Sequence, residues 1–177
     1  MSFGWTGEKT RLVPLDRERH FDNCVTWIND PQVTEWTLMG DFPLTKLAEE
    51  DWFQQRSKAG LEDIVFALET LAGEHIGLTG AHRIDYRNGF ALTGTLIGRR
   101  EMWGQGYGSD AVAVRTRYLF DVVGLRLLLS EVMEGNIGSY KVLQRNGYRE
   151  VGRIPRRNWK RGAFRDLIQM VRERDPA

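Results

Sequence analysis

Apolar positions along the chain switch between a spacing of two and a spacing of three to four, and the switches mark out its elements. Residues Arg11 to Leu15 read as a short strand stopped by Pro14 and Asp16; Phe21, Cys24, Val25 and Ile28 then recur at helical spacing until Asn29-Asp30-Pro31 ends the run. Residues 31–44 carry Trp36, Met39, Gly40, Phe42 and Pro43 without periodicity and are expected to form a loop. A second helix is predicted from about Thr45 to Lys58, because Thr45 can cap it and Glu49, Glu50 and Asp51 suit the positive end of its dipole. Three strand-like runs follow, Asp63 to Leu71, His75 to Ile84 and Phe90 to Gly98, broken by Ala72-Gly73 and by residues 85–89, which predicts a meander.

After Gly108 the spacing is helical again, with Ala111, Val114, Tyr118 and Leu119 on one side. Leu125 to Met133 is a β-rich apolar run of the kind buried on both faces of a sheet. Asn136 to Asn146 predicts a short amphipathic helix stopped by Gly147, and two strands, around Tyr148 to Ile154 and Phe164 to Val171, are joined by a basic loop. The order is strand, two helices, three strands, helix, strand, helix, two strands. It defines an α/β architecture, a mixed sheet of about seven strands covered by about four helices, with a ligand site near the carboxyl ends of the central strands.

Composition narrows the function classes. A chain of 177 residues suits one domain, and 41% hydrophobic against 28% charged residues excludes a disordered chain. Twenty-five Lys and Arg against 24 Asp and Glu leave +1, so there is no global field for nucleic acid or an anionic membrane, and any basic site is local. The single cysteine, Cys24, rules out an internal disulfide and reads as a small buried apolar group, which fits a reducing, cytoplasmic setting. No apolar run approaches the roughly 18 residues of a membrane span, and the MSFGWTGEKTR start reads as unprocessed. There is no CxxC, HExxH or clustered His/Asp spacing, so no catalytic metal is expected.

The candidate chemistry begins at Trp103-Gly104-Gln105-Gly106-Tyr107-Gly108-Ser109, between a strand and a helix. The first N–H groups of a helix lack intrahelical partners and point outward, and the dipole adds positive potential, so an anion is favoured there. Alternate glycines let the backbone take left-handed conformations and form an N–H nest around a pyrophosphate, although glycines before a helix can also serve only a tight turn. The spacing is not G-x-G-x-x-G after a βαβ strand, and no Gly-Lys-Ser/Thr follows, which disfavours a dinucleotide or a nucleotide P-loop.

Twenty-eight residues beyond Gly108 lies Asn136-Ile137-Gly138-Ser139, continuing to Gly147-Tyr148. With both motifs in order, the chain resembles the GNAT family of N-acetyltransferases from Arg11 to about Arg172, least clearly over residues 30–60. The resemblance implies acetyl-coenzyme A as cofactor and a mostly antiparallel sheet whose fourth and fifth strands, near Leu96 to Gly98 and Ser130 to Met133, splay apart to admit the pantetheine arm. It implies further that backbone groups of Ile97 and Gly98 hold that arm or polarise the thioester, that the amides of residues 104–109 hold the diphosphate with Trp103 beside them in the cofactor site, and that Asn136 binds pantetheine; helix capping explains Asn136 equally well. Many members carry a tyrosine seven residues after the motif asparagine as the acid toward the leaving thiolate, and this chain has Leu143 there. The branch resembling the ribosomal-protein N-terminal acetyltransferases (RimJ/RimL-like) also lacks it and places a serine near the cofactor sulfur. Ser139 is therefore the first catalytic candidate, against an ordinary helix hydroxyl, and Tyr140 the second.

An attacking amine must be neutral. An α-amine of pKa about 7.8 is roughly 10–15% neutral at pH 7, whereas a lysine amine of pKa about 10.4 is neutral in about one molecule in 2,500. A protein or peptide N-terminus therefore needs little help from a base, and the expected chemistry is direct attack with water-relayed proton loss. Glu131, Glu134, His75 and His82 are the candidate bases, each with a structural or solvated alternative. Small-molecule amines such as polyamines, aminoglycosides or amino-acid-like metabolites remain open as acceptors, as does the oligomeric state, a homodimer included. Arg153, Arg156, Arg157, Lys160, Arg161 and Arg165 come with no acid among them. This basic loop 153–165 reads as a solvated hairpin, as a site for an acidic acceptor or a ribosome-like partner, or as an RNA surface of a catalytically silent module, with Trp159 alone for stacking.

Overall fold

The computed structural model describes residues 5–58 and 62–175, so the first four residues of the MSFGWTGEKTR start, read as unprocessed, lie outside the described residues. The elements are β1 (Thr10–Pro14), α1 (Arg17–Ile28), α2 (Lys46–Ser57), β2 (Ile64–Thr70), β3 (His75–Asp85), β4 (Phe90–Ile97), a 3₁₀ turn (Arg100–Met102), α3 (Tyr107–Asp121), β5 (Leu127–Met133), α4 (Ile137–Arg145), β6 (Arg149–Lys160) and β7 (Ala163–Glu173). Three helices start at side-chain caps: Asp16 accepts from Arg19 N at 2.9 Å, Thr45 from Ala48 N at 3.2 Å and Asn136 from Ser139 N at 3.1 Å. Gly147, at φ 77°, ends α4 in the left-handed conformation expected of it.

The strands form one sheet in the order β1-β2-β3-β4-β5-β7-β6, antiparallel except for the β4–β5 pair. α3 and α4 bury one face, where Val114, Leu119 and Leu143 meet Leu68, Ala91, Leu128 and Met170. α1 and α2 cover the other face over β2 and β3, through Phe21, Cys24 and Phe53 against Leu78. Because neither helix reaches β5, the run expected to be buried on both faces is not. Leu128, Ser130 and Val132 are buried, Leu127 and Leu129 are half-buried, and Glu131 is exposed on the open side.

The basic loop is likewise corrected. β6 and β7 continue toward a two-residue turn at Arg161 (φ 48°) and Gly162 (φ 83°), with Trp159 opposite Phe164 and Lys160 opposite Ala163. Positive φ at both central residues is the turn whose twist matches a hairpin. Register shifts at Gly152 and between Ile154 and Asn158, where Arg156 has φ 50°, break the alternation that would have marked the strand in sequence.

Candidate active site

The parallel β4–β5 ladder runs only from Phe90 opposite Leu127 to Thr93 opposite Ser130. Beyond it residues 94–97 and 131–133 have no mutual pairing, which is the splay the resemblance implied. At the apex Thr93 Oγ1 donates to the Leu129 carbonyl at 2.8 Å and lies 2.6 Å from Ser130 Oγ. Gly98 N–H donates to Ile76 O at 2.9 Å, on the β3 side. Since peptide groups alternate along a strand, those of Thr95 and Ile97 point toward β5 and into the fork.

Ile97 and Gly98 therefore differ from each other. The Gly98 amide is spent on β3, and a Cβ at Gly98 would collide with the Trp27 indole, so close packing accounts for this glycine. The Ile97 carbonyl accepts from Trp103 Nε1 at 2.8 Å, leaving the Ile97 N–H as the donor facing the gap.

Gly104 and Gly106 have φ of 74° and 89°, and α3 starts at Gly106 with no side-chain cap. The N–H groups of Tyr107, Gly108 and Ser109 thus open toward the loop. Space is not the constraint at these two glycines: a Cβ at Gly104 meets nothing within 4 Å and one at Gly106 meets only Lys9, 3.6 Å from its Cε. Gly108 is different, with ordinary contacts to Ile97 at 3.7 Å and Val142 at 4.0 Å. Gln105 Nε2 donates to Glu101 O, and Ser109 accepts from Asn146 Nδ2 at its carbonyl (3.1 Å) and hydroxyl (3.2 Å), which ties α3 to α4.

Two participants were missed in sequence. Asp110, in the first turn of α3, accepts from the N–H groups of Glu8, Lys9 and Thr10 and from Thr10 Oγ1 at 2.6–3.1 Å. Those bonds hold its carboxyl below the usual range against the opposing effect of burial. The strap they fix lays Lys9 across Gly106, its ammonium 5.4 Å from the Tyr107 ring centre. Lys9 forms no ion pair among the described residues, and only the fold brings it there. An uncapped helix start, two left-handed glycines, a free cation and an open fork together fit a diphosphate with an extended arm.

Asn136 Oδ1 is the α4 cap, so the bland role is real, while its Nδ2 is uncommitted among the described residues. Ser139 is half-buried in the first turn of α4, and its hydroxyl has no hydrogen bond among the described residues. Tyr140 Oη donates to Glu150 at 3.0 Å; that bond, burial and the Glu150 charge push the phenol up, so it holds its proton more tightly. Leu143 is buried in the core.

Of the candidate bases, His75 is structural. It is 5% exposed, accepts from Asn23 at Nδ1 (3.1 Å), donates to Gly77 O from Nε2 (2.9 Å), and burial followed by the neighbouring His20 takes it down to about 4. His82 lies opposite Leu92 on the closed half of the sheet, bound to Asp63 at 3.2 Å, and burial and the cations Arg56, Arg115 and Arg83 lower it. Glu134 is exposed in the β5–α4 turn, and Glu131 is exposed on the splayed half of β5. Burial, with Glu49 nearby, pushes the Cys24 thiol up to about 12, which excludes it as a nucleophile.

The hairpin grips the loop at 31–44. Buried Lys160 pairs with Asp41 at 2.9 Å and donates to Met39 O at 2.7 Å; Arg161 donates to Thr34 Oγ1 at 3.3 Å; Arg165 sits 5.8 Å from the Trp36 ring. Trp36 in turn lies against Gly135, in the turn before Asn136, so the hairpin, this loop and the fork share one mouth. Arg153 pairs with Glu150, while Arg156, Arg157, Arg161 and Arg165 have no ion pair among the described residues. Among the described residues, no helix is long and apolar enough to cross a membrane, and no His, Cys, Asp and Glu group could hold a metal.

This splayed sheet with its glycine-loop helix defines an acyltransferase of the coenzyme A-binding kind. Residues 9–149 match the acetyltransferase (GNAT) domain, and the chain belongs to that family. It is accordingly an acetyl-coenzyme A-dependent N-acetyltransferase. An uncharacterised N-acetyltransferase, p20, of Bacillus licheniformis is 29% identical over 149 residues, 82% of each chain. The spermidine N-acetyltransferase of Vibrio cholerae, solved with coenzyme A and spermine, superposes with a TM-score of 0.85 at 17% identity, covering 93% of this chain and 95% of the other. Mycobacterium smegmatis RimJ, solved with coenzyme A disulfide, gives 0.78 at 19% identity, covering 93% and 81%.

Proposed function

We propose that the protein acetylates the α-amine of a peptide or protein N-terminus, in the manner of the RimJ/RimL-like branch. The observation that carries this reading is the charge at the acceptor mouth. Arg161 and Arg165 lie on the hairpin beside Thr34 and Trp36, and together with Arg156 and Arg157 they form no ion pair among the described residues. A polycation such as spermidine is repelled there, whereas an N-terminus followed by acidic residues is attracted and needs little deprotonation.

Acetyl-coenzyme A, when bound, supplies the activated acetyl thioester. Amides of residues 104–109 with Lys9 bind its diphosphate, the side chain of Asn136 and the Ile97 N–H orient the arm, and Ser139 Oγ donates toward the sulfur. The proton lost by the amine passes to water, with Glu131 the carboxylate placed on the open side of the fork to receive it.

Thiol release with peptides bearing acidic, neutral or basic second and third residues, and with spermidine, tests this. The acidic peptides are expected to give the highest kcat/KM, with an advantage that shrinks as salt rises. A preference for spermidine would overturn the acceptor assignment.

A further inference from the structure

Arg115, in the middle of α3, is 1% exposed and the largest of the fully buried side chains described. Nη1 donates to Thr95 Oγ1 at 2.8 Å and Nη2 to Tyr148 Oη at 3.2 Å, while Nε has no partner among the described residues. Its hydroxyl partners are tied onward, Thr95 to Thr79 Oγ1 at 2.7 Å and Tyr148 to Thr116 Oγ1 at 3.2 Å. No carboxylate pairs with it among the described residues, in contrast to buried Lys160, which has Asp41, and buried Glu69, which has Arg11 and Arg19.

A guanidinium cannot discharge by losing its proton, and burying it without a counter-charge is costly. Thr95 belongs to the splayed half of β4, and Tyr148 follows the α4 turn that ends at Gly147, so the charge lies between the β4 wall of the fork and the turn from α4 into β6. From β3, His82 faces the same region and is lowered by burial first and by Arg56, Arg115 and Arg83 after it; the acid beyond it, Asp63, is held by Arg56. The acids on or beside these elements are engaged elsewhere or unpaired with it: Asp63 holds Arg56, Asp110 holds the strap at residues 8–10, and Glu150 pairs with Arg153, so none forms an ion pair with Arg115 among the described residues.

We propose that Arg115 is an electrostatic positioning residue for acetyl transfer, its unpaired charge beneath the β4–β5 fork stabilising the negative charge that collects on the departing coenzyme A sulfur. The nitrogen–carbon bond forms, the carbon–sulfur pair goes to sulfur, and the proton leaves the nitrogen. The proposal rests on the cofactor arm lying in the fork. It gives a physical reason for tolerating the charge, since a fixed cation in a poorly solvated site acts more strongly than one in water.

The test is the thiol pKa of bound coenzyme A, read from thiolate absorbance, with calorimetric affinity, kcat and melting temperature, for wild type, Arg115→Met and Arg115→Lys. Arg115→Met is expected to raise the bound thiol pKa by about one unit and lower kcat about tenfold or more. Affinity should stay within about threefold and the melting temperature should not fall, because the desolvation cost is removed; Arg115→Lys should restore most of kcat. An unchanged thiol pKa with coenzyme A still bound overturns the proposal. If Arg115→Met does not fold, Thr95→Val, which frees the guanidinium from β4, is expected to give a smaller rise in the same direction, and no rise overturns the proposal equally. Failure of the wild-type protein to bind coenzyme A would instead overturn the placement of the cofactor in the fork, and the proposal with it.

Discussion

Ser139 and Tyr140 are neighbours in one helical turn, yet only Ser139 has a hydroxyl free of other partners among the described residues. A donor that strengthens as charge develops on sulfur acts on turnover and not on ground-state binding. Ser139→Ala is expected to lower kcat by about 2 kcal/mol or more with calorimetric coenzyme A affinity little changed, while Tyr140→Phe leaves kcat near wild type. The reverse pattern would transfer the role to Tyr140. The three motif glycines separate in the same way. Gly106→Val forces a β-branched residue to φ 89° and should weaken coenzyme A at least about tenfold. Gly108→Ala, which meets only ordinary contacts, should stay within about threefold, and an equal loss at both positions would mean that backbone conformation is not what the cofactor reads. These residues were legible because their spacing is local. Lys9 was not, since a lysine about a hundred residues from the loop carries no signal until Asp110 draws the strap across it.

The β6–β7 hairpin shows why an element can be hidden in plain sequence. Pro155, a register shift and a run of cations erase the period of two between Ile154 and Asn158, and pairing resumes at Asn158 opposite Arg165 and Trp159 opposite Phe164, the last two rings packing edge to face at 4.8 Å. Cross-strand contacts, invisible to a periodicity argument, restore the pairing. What read as a solvated hairpin includes a clamp on residues 34–41, with Lys160 as its buried pin. Lys160→Met is expected to loosen that loop, raising KM for the acceptor about threefold or more while coenzyme A affinity holds, because the glycine loop is built elsewhere. Equal losses for both ligands would show instead that the hairpin supports the whole sheet. By contrast, all four helices were legible, because Asp16, Thr45, Asn136 and the glycine loop mark their starts in the chain itself.

Over the whole molecule, buried ionisable groups set the response to acid. His75 binds its proton only at about 4 when folded but near its ordinary 6.5 when unfolded. Between those values the unfolded chain holds more protons, so stability rises with pH, and acidification through this window removes at most about 3 kcal/mol. Glu69 is held low because bonds from His20 and Arg11 and the charges of Arg19 and Arg11 outweigh the upward push of burial; its contribution is present above the ordinary carboxylate range and is lost below it. Denaturation midpoints from pH 8 to 3 are expected to fall in these two stages, and His75→Phe should erase the first stage whatever its effect on absolute stability. A single stage confined to the carboxylate range would show that His75 titrates normally. The four-residue parallel ladder has a mechanical consequence. The first and last strands belong to opposite halves of the sheet, β1 to one and β7 to the other, and among the described residues β4–β5 is the only strand pairing between those halves. Tension applied across β1 and β7 therefore loads that short seam, shared only with the α3–α4 packing and the hairpin clamp on residues 34–41, and the candidate active site lies along it. A cofactor laid across the seam acts as a rivet, so rupture under load should require a measurably higher force when coenzyme A is present.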